Sequence, residues 1–146
     1  MNKTYRDTFF DQGFITNIKI FNNDYVQNAC DDYINFINKN TNTNRQQTVE
    51  AKTKTHLFFP WANKIIFEKK ILDIVQNIIG ENIVCWNSLI FHKKPKTSNF
   101  VSMHQDQNYW NIEMNKGLTV SLALTDSNVE NGCLRILPYS HKKNYE

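Results

Sequence analysis

The sequence predicts an α+β fold in which helices come first and an antiparallel β half follows. Apolar residues recur at helical spacing as far as Gly80, and from residue 82 onward the spacing switches to a period of two. The connections between the later strands are too short to hold crossover helices. That pattern describes a β-sandwich or barrel with a helical N-terminal buttress.

A length of 146 residues fits one domain, 1–146, large enough to bury a core without staples. Hydrophobic residues at 40% and charged residues at 21% are ordinary for a globular chain. A net charge of +3 with no run of Lys or Arg argues against a nucleic-acid partner, and "FEKK" and "FHKKPK" read as solvated faces. Cys30, Cys85 and Cys133 lie far apart with no CxxC pair, the pattern expected of reduced, buried thiols in a reducing compartment. The start "MNKTYRDTFF" lacks the apolar stretch of a signal peptide, and no apolar run reaches membrane-spanning length. A cytoplasmic protein with no membrane partner is the expectation; the sequence does not speak to oligomeric state.

Within the helical half, "YRDTFFDQ" reads as a short helix that ends at Gly13, where a helix C-terminus needs positive φ. "FITNIKI" follows as a strand. "NNDYVQNACDDYINFINKN" places Val26, Ala29, Cys30, Tyr33, Ile34 and Ile37 on one helical face, capped by Asn22 or Asn23. Residues 41–55 are polar and unpatterned, so a loop or weak strand is expected there. "HLFFPWANKIIF" then leads into a helix over 67–79, with Ile71, Leu72, Val75, Ile78 and Ile79 inward and Gly80 as its stop.

Four strands are predicted beyond Gly80: "NIVCWNSLIFHKK", "FVSMHQDQ", "LTVSLALTD" and "CLRILPYS". "PKTSN" and "SNVENG" supply turns between them. In the second strand, alternation puts Phe100, Ser102, His104 and Asp106 on one face. An imidazole and a carboxylate projecting side by side can hold adjacent corners of a metal's coordination sphere. With a second histidine they would make the 2-His-1-carboxylate face that binds non-haem Fe(II). Equally, an isolated His-x-Asp is a common polar face of a surface strand.

"FVSMHQDQNYW" followed by "LTVSLALTDSNVENGCLRILPYSHK" closely resembles the phytanoyl-CoA dioxygenase family of Fe(II)/2-oxoglutarate oxygenases. The family pattern runs approximately WHQDxxYW, then an apolar strand ending in ALTD or ALDD, then ENGCLxxIPGSHK. Upstream, "KTHLFFPW", "ILDIVQNIIGENIVCWNSLIF" and the Gly13 region are also similar. The resemblance implies a double-stranded β-helix, the jelly roll of cupins, with N-terminal helices. It implies Fe(II), 2-oxoglutarate as cosubstrate and O2, acting on a small-molecule substrate by hydroxylation. His104 and Asp106 become catalytic metal ligands, and the carboxylate at 106 favours hydroxylation because halogenating relatives carry a small residue there. Lys93 matches a lysine near the cosubstrate carboxylate, Ser121 stands where many members place an aromatic near the cosubstrate, and Trp110 with Tyr109 walls the pocket. His141 matches the GSHK histidine, which is not an iron ligand. His56 and His92 read as structural, and Asn131 and Gly132 as formers of a tight turn.

The sequence departs from the family at Met103 for the usual Trp and Tyr139 for the usual Gly. The family's second iron-binding histidine, and an arginine that pairs with the distal carboxylate of 2-oxoglutarate, lie well downstream of GSHK. The chain is therefore expected to be the N-terminal portion of a jelly roll incomplete at its C-terminus. Two alternatives stand beside the dioxygenase reading. One is an inactive truncated remnant or binding module of the same fold; the other is a cupin-like metalloprotein that does not use 2-oxoglutarate.

Overall fold

The computed structural model describes residues 4–40, 45–98, 100–109 and 117–143. Helix α1 (Tyr5–Gln12) starts at a capping box: Thr4 accepts from the Asp7 amide, and the Asp7 carboxylate accepts from the Thr4 amide. Gly13 ends it at φ 93°, donating its N–H to the Phe9 carbonyl. Helix α2 (Asn23–Asn40) is capped by the Asn22 side chain, which accepts from the Tyr25 amide at 2.9 Å. Its inward face carries Ala29 and Tyr33, with Ile34, Phe36 and Ile37 packed beside them.

Of the loop or weak strand expected over 41–55, residues 41–44 lie outside the described residues, and residues 45–55 correct it. They form helix α3 (Arg45–Thr53) and the first residue of the single-turn α4 (Thr55–Phe58). The buried residues here are small rather than oily: Thr48 and Ala51 on α3, and Thr55 at the start of α4. A hydropathy pattern does not register such residues, yet Arg, Gln, Glu, Ala and Lys along this stretch are good helix formers. Helix α5 (Pro60–Ile66) carries its proline in the first turn, where no amide donor is missed. Helix α6 (Lys69–Ile79) buries Ile71, Val75 and Ile78, and Gly80 closes it by donating to the Gln76 carbonyl.

The core is centred on Tyr33, Ala51, Phe59 and Ala62, with Phe36, Phe58, Trp61 and Ile90 against it. Tyr33 and Phe36 both meet the Phe59 ring edge-on, at 6.1 and 5.2 Å between centroids. Ile90 comes from the segment after α6. That segment is strapped along the α3–α4 junction by a parallel bridge between Lys54 and Ser88 and by the Ile90 amide donating to the Lys52 carbonyl.

Among the described residues the Lys54–Ser88 bridge is the one strand-type pairing, and neither 14–20 nor the four segments beyond Gly80 join a ladder. Period-two sequence becomes a strand only when its amides and carbonyls find partners. Their apolar side chains are correspondingly open, with Val84 at 83% exposure and Phe100 at 80%. The accessible surface of 12027 Å² compares with about 7,800 Å² for a compact chain of this mass. The fully buried residues among those described all lie in the helical half, and beyond Gly80 only partly buried apolar residues such as Ile90 pack inward. The three thiols are free, as expected, but not buried: Cys85 is exposed and Cys30 and Cys133 are half-buried. Among the described residues no helix is long and apolar enough to cross a membrane.

Ala51 is completely buried, so Ala51→Leu is expected to cost about 1–3 kcal/mol in urea unfolding through overpacking. The Tyr33 hydroxyl is buried and makes no hydrogen bond among the described residues. Burial also pushes its ionisation up to about 12. The folded state thus holds the phenol proton more tightly than the unfolded chain. The resulting stability is present below pH 10, the ordinary tyrosine value, and drains away as pH rises toward 12. Tyr33→Phe is expected to be at least as stable as the wild type at neutral pH. It should also flatten the stability profile between pH 10 and 12, read by denaturant titrations at each pH.

Candidate metal centre

His104 and Asp106 are brought together as the alternation of residues 100–106 implied. His104 Nε2 lies 3.1 Å from Asp106 Oδ1, with their side chains 32% and 46% exposed. Asp106 opens a 3₁₀ turn, Asp106–Tyr109, so the extended run stops at the pair itself. The turn carries Tyr109 round to set its ring edge-on against the His104 imidazole, 5.3 Å between centroids. Trp110, expected to wall the same pocket, lies outside the described residues.

Each member of the pair is held by a second contact. His104 Nδ1 is 2.8 Å from the Ser102 carbonyl oxygen. A carbonyl only accepts, so Nδ1 carries the proton. In a neutral imidazole Nε2 then offers a lone pair, and it faces a carboxylate oxygen that also only accepts. Two acceptors 3.1 Å apart need a proton or a cation between them. Two donors each about 2.1 Å from one octahedral cation stand about 3 Å apart. The pair fits that arrangement, and imidazole nitrogen with carboxylate oxygen suits Fe(II) and similar divalent ions. Among the described residues no third His, Cys, Asp or Glu joins the pair.

On the far side of Asp106, the Thr119 hydroxyl donates to Oδ2 at 2.8 Å. Thr119 was not singled out from the sequence. The signal for it is register: it stands two positions before Ser121, and alternate residues of an extended segment share a face. Ser121 itself is exposed. Between His104 and Asp106, Gln105 points away and donates from Nε2 to the Ser140 and Lys143 carbonyls at 3.1 and 2.8 Å. The HQD run is thus anchored by its middle residue while its outer two face the other way.

Lys93 donates to the Gly132 carbonyl at 3.0 Å, reaching over the turn that follows Asn128. That turn is built by the asparagines: Asn128 Oδ1 accepts from the Glu130 and Asn131 amides, and Asn131 Oδ1 accepts from the Asn128 amide. Gly132 takes φ 82°, and a Cβ there would sit 2.9 Å from Lys93 Nζ. His141 donates from Nε2 to the Phe10 carbonyl at 3.0 Å, far from any metal role. His56 Nδ1 lies 2.6 Å from the Ser88 hydroxyl, which also accepts from the His56 amide, so His56 helps strap the 82–94 segment. His92 packs edge-on against the buried Tyr33 ring.

This chain belongs to the phytanoyl-CoA dioxygenase (PhyH) family, whose model it matches over residues 9–146. It is 33% identical over 87 residues to a probable alpha-ketoglutarate-dependent hypophosphite dioxygenase of Stutzerimonas stutzeri, covering 60% of this chain and 30% of that protein. It is 35% identical over 88 residues to the phytanoyl-CoA dioxygenase domain-containing protein 1 homolog of Caenorhabditis briggsae, covering 60% of this chain and 31% of the relative. The Caenorhabditis elegans homolog is 33% identical over 88 residues, with the same coverage. The matched stretch therefore spans about 30% of the length of these curated relatives. No solved structure matches the chain significantly.

Gly132→Ala is expected to destabilise the chain by about 1–2 kcal/mol in urea unfolding, because an alanine is strained at that positive φ. The same substitution should drive Lys93 off the Gly132 carbonyl, read as a faster reaction of Lys93 with an amine-specific reagent.

Proposed function

We propose that this chain carries the iron-binding part of a non-haem Fe(II)/2-oxoglutarate-dependent dioxygenase built on a double-stranded β-helix, acting on a small molecule. The observation that carries this reading is the facing pair of acceptors, His104 Nε2 and Asp106 Oδ1, in a chain of the phytanoyl-CoA dioxygenase family. A relative named as alpha-ketoglutarate-dependent supports the choice of cosubstrate. One relative's name carries hypophosphite and the others' names carry phytanoyl-CoA, so the names do not converge on one substrate.

When bound, Fe(II) with 2-oxoglutarate and O2 supplies the oxidising power, coupling decarboxylation of the cosubstrate to succinate with oxygen insertion into a substrate bond. The protein's residues have simpler work. His104 presents Nε2 because its Nδ1–H is held by the Ser102 carbonyl. Asp106 presents Oδ1 as the second donor. Lys93 is the cationic partner for a cosubstrate carboxylate, a charge-assisted contact that needs its ammonium to turn from the Gly132 carbonyl. Ser121 supplies a hydroxyl on the cosubstrate side, and Trp110 an apolar wall.

Anaerobic addition of Fe(II) and then 2-oxoglutarate to the chain is expected to produce a weak visible absorption band. The band should vanish in His104→Ala and in Asp106→Ala. Its absence from the wild type, or its survival in His104→Ala, overturns the assignment.

A further inference from the structure

We infer that Thr119 is a positioning residue for the metal centre, fixing the rotation of the Asp106 carboxylate so that Oδ1, and not Oδ2, faces the cation. This deepens the metal-site reading above and rests on it. The two oxygens of a carboxylate are chemically equivalent, and rotation about the bond that joins it to Cβ is soft. Left to itself, the group would offer either oxygen to His104 or to solvent. In this chain Oδ2 is engaged by the Thr119 hydroxyl at 2.8 Å, while Oδ1 stands 3.1 Å from His104 Nε2. A hydroxyl donor on an anionic oxygen makes a short, charge-assisted bond, about twice as strong as a neutral one.

The arrangement mirrors that of the histidine. The Ser102 carbonyl fixes which nitrogen of His104 is free, and the Thr119 hydroxyl fixes which oxygen of Asp106 is free. The histidine is oriented from within its own segment, two residues away. The carboxylate is oriented from a segment 13 residues on, beyond the Asp106–Tyr109 turn. Thr119 thereby also links the ligand-bearing stretch to the one that carries Ser121. The side chain of Thr119 is exposed, so removing its hydroxyl leaves no cavity.

Partners that orient metal ligands contribute about 10–100-fold to metal affinity. The test is a titration of the full chain with Mn(II), a spin-active stand-in for Fe(II), following loss of the free-ion signal by electron paramagnetic resonance. Wild-type binding should weaken by about 10–100-fold in Thr119→Val, which keeps the side-chain shape and removes the donor. Thr119→Ala should show the same loss, which keeps the test usable if the valine variant folds poorly. Thr119→Ser, which keeps the hydroxyl, should bind within about threefold of wild type, a rescue that a purely structural role would not give. Binding that His104→Ala abolishes but Thr119→Val leaves unchanged overturns the role of Thr119 alone. A wild-type chain that takes up no Mn(II), or takes it up equally in His104→Ala, overturns the metal-site reading and the role of Thr119 with it.

Discussion

The placement of the His104–Asp106 stretch is tied to how the open carbonyls at the ends of two helices are satisfied. The last four carbonyls of any α-helix have no partner within it. At the end of α6, Arg6 of α1 donates to the Asn77 and Ile78 carbonyls at 2.9 and 2.7 Å. At the end of α1, the Tyr139 amide donates to the Gln12 carbonyl and His141 donates to that of Phe10. The stretch that caps α1 in turn offers the Ser140 and Lys143 carbonyls to Gln105. A continuous thread of donors and acceptors thus runs from α6 through α1 to the residue between His104 and Asp106. Its members are far apart in sequence, which is how a helical N-terminus comes to hold a site more than 90 residues later.

Tyr139 shows what this thread demands. It sits at φ 64°, a left-handed conformation uncommon for a residue with a side chain. The hydrogen bond from its N–H to the Gln12 carbonyl and the Lys142 ammonium 5.2 Å above its ring hold it there. Gly13 completes the fit from the other side. A Cβ at that position would collide with the His141 ring, so the glycine that ends α1 also makes room for the group that caps it. One glycine therefore answers to two constraints, one of backbone conformation and one of space.

α2 and α6 were legible because each combines a periodic apolar face with a cap or a terminal glycine, and α1 was legible from the glycine that ends it. α3 escaped because its buried residues are Thr48 and Ala51, where size rather than oiliness decides the packing. For the His104–Asp106 pair, alternation indicated only a shared direction for two polar side chains, and the motifs around them marked the pair as a metal candidate. Its supports were not legible in the same way. Thr119 and the carbonyls of Ser140 and Lys143 meet the HQD run only after the intervening turns have folded, and no local pattern encodes that meeting. The roles of His141 and His56 as caps and straps follow from the same non-local geometry.

Those supports matter more than the pair's own attraction. At 32% and 46% exposure, an imidazole and a carboxylate gain about 0–1 kcal/mol from each other in water. That is too little to hold two side chains in one arrangement against their rotamer entropy. If attraction alone operated, His104 and Asp106 would separate as often as meet, and a His-x-Asp on a strand face would mean little. In this chain Ser102 takes one nitrogen of the histidine, Thr119 takes one oxygen of the aspartate, and Gln105 pins the backbone between them. Each contact removes a freedom that a bound cation would otherwise have to remove itself. The remaining nitrogen and oxygen face each other as acceptors with no donor of their own, an arrangement that a shared proton or a metal ion completes.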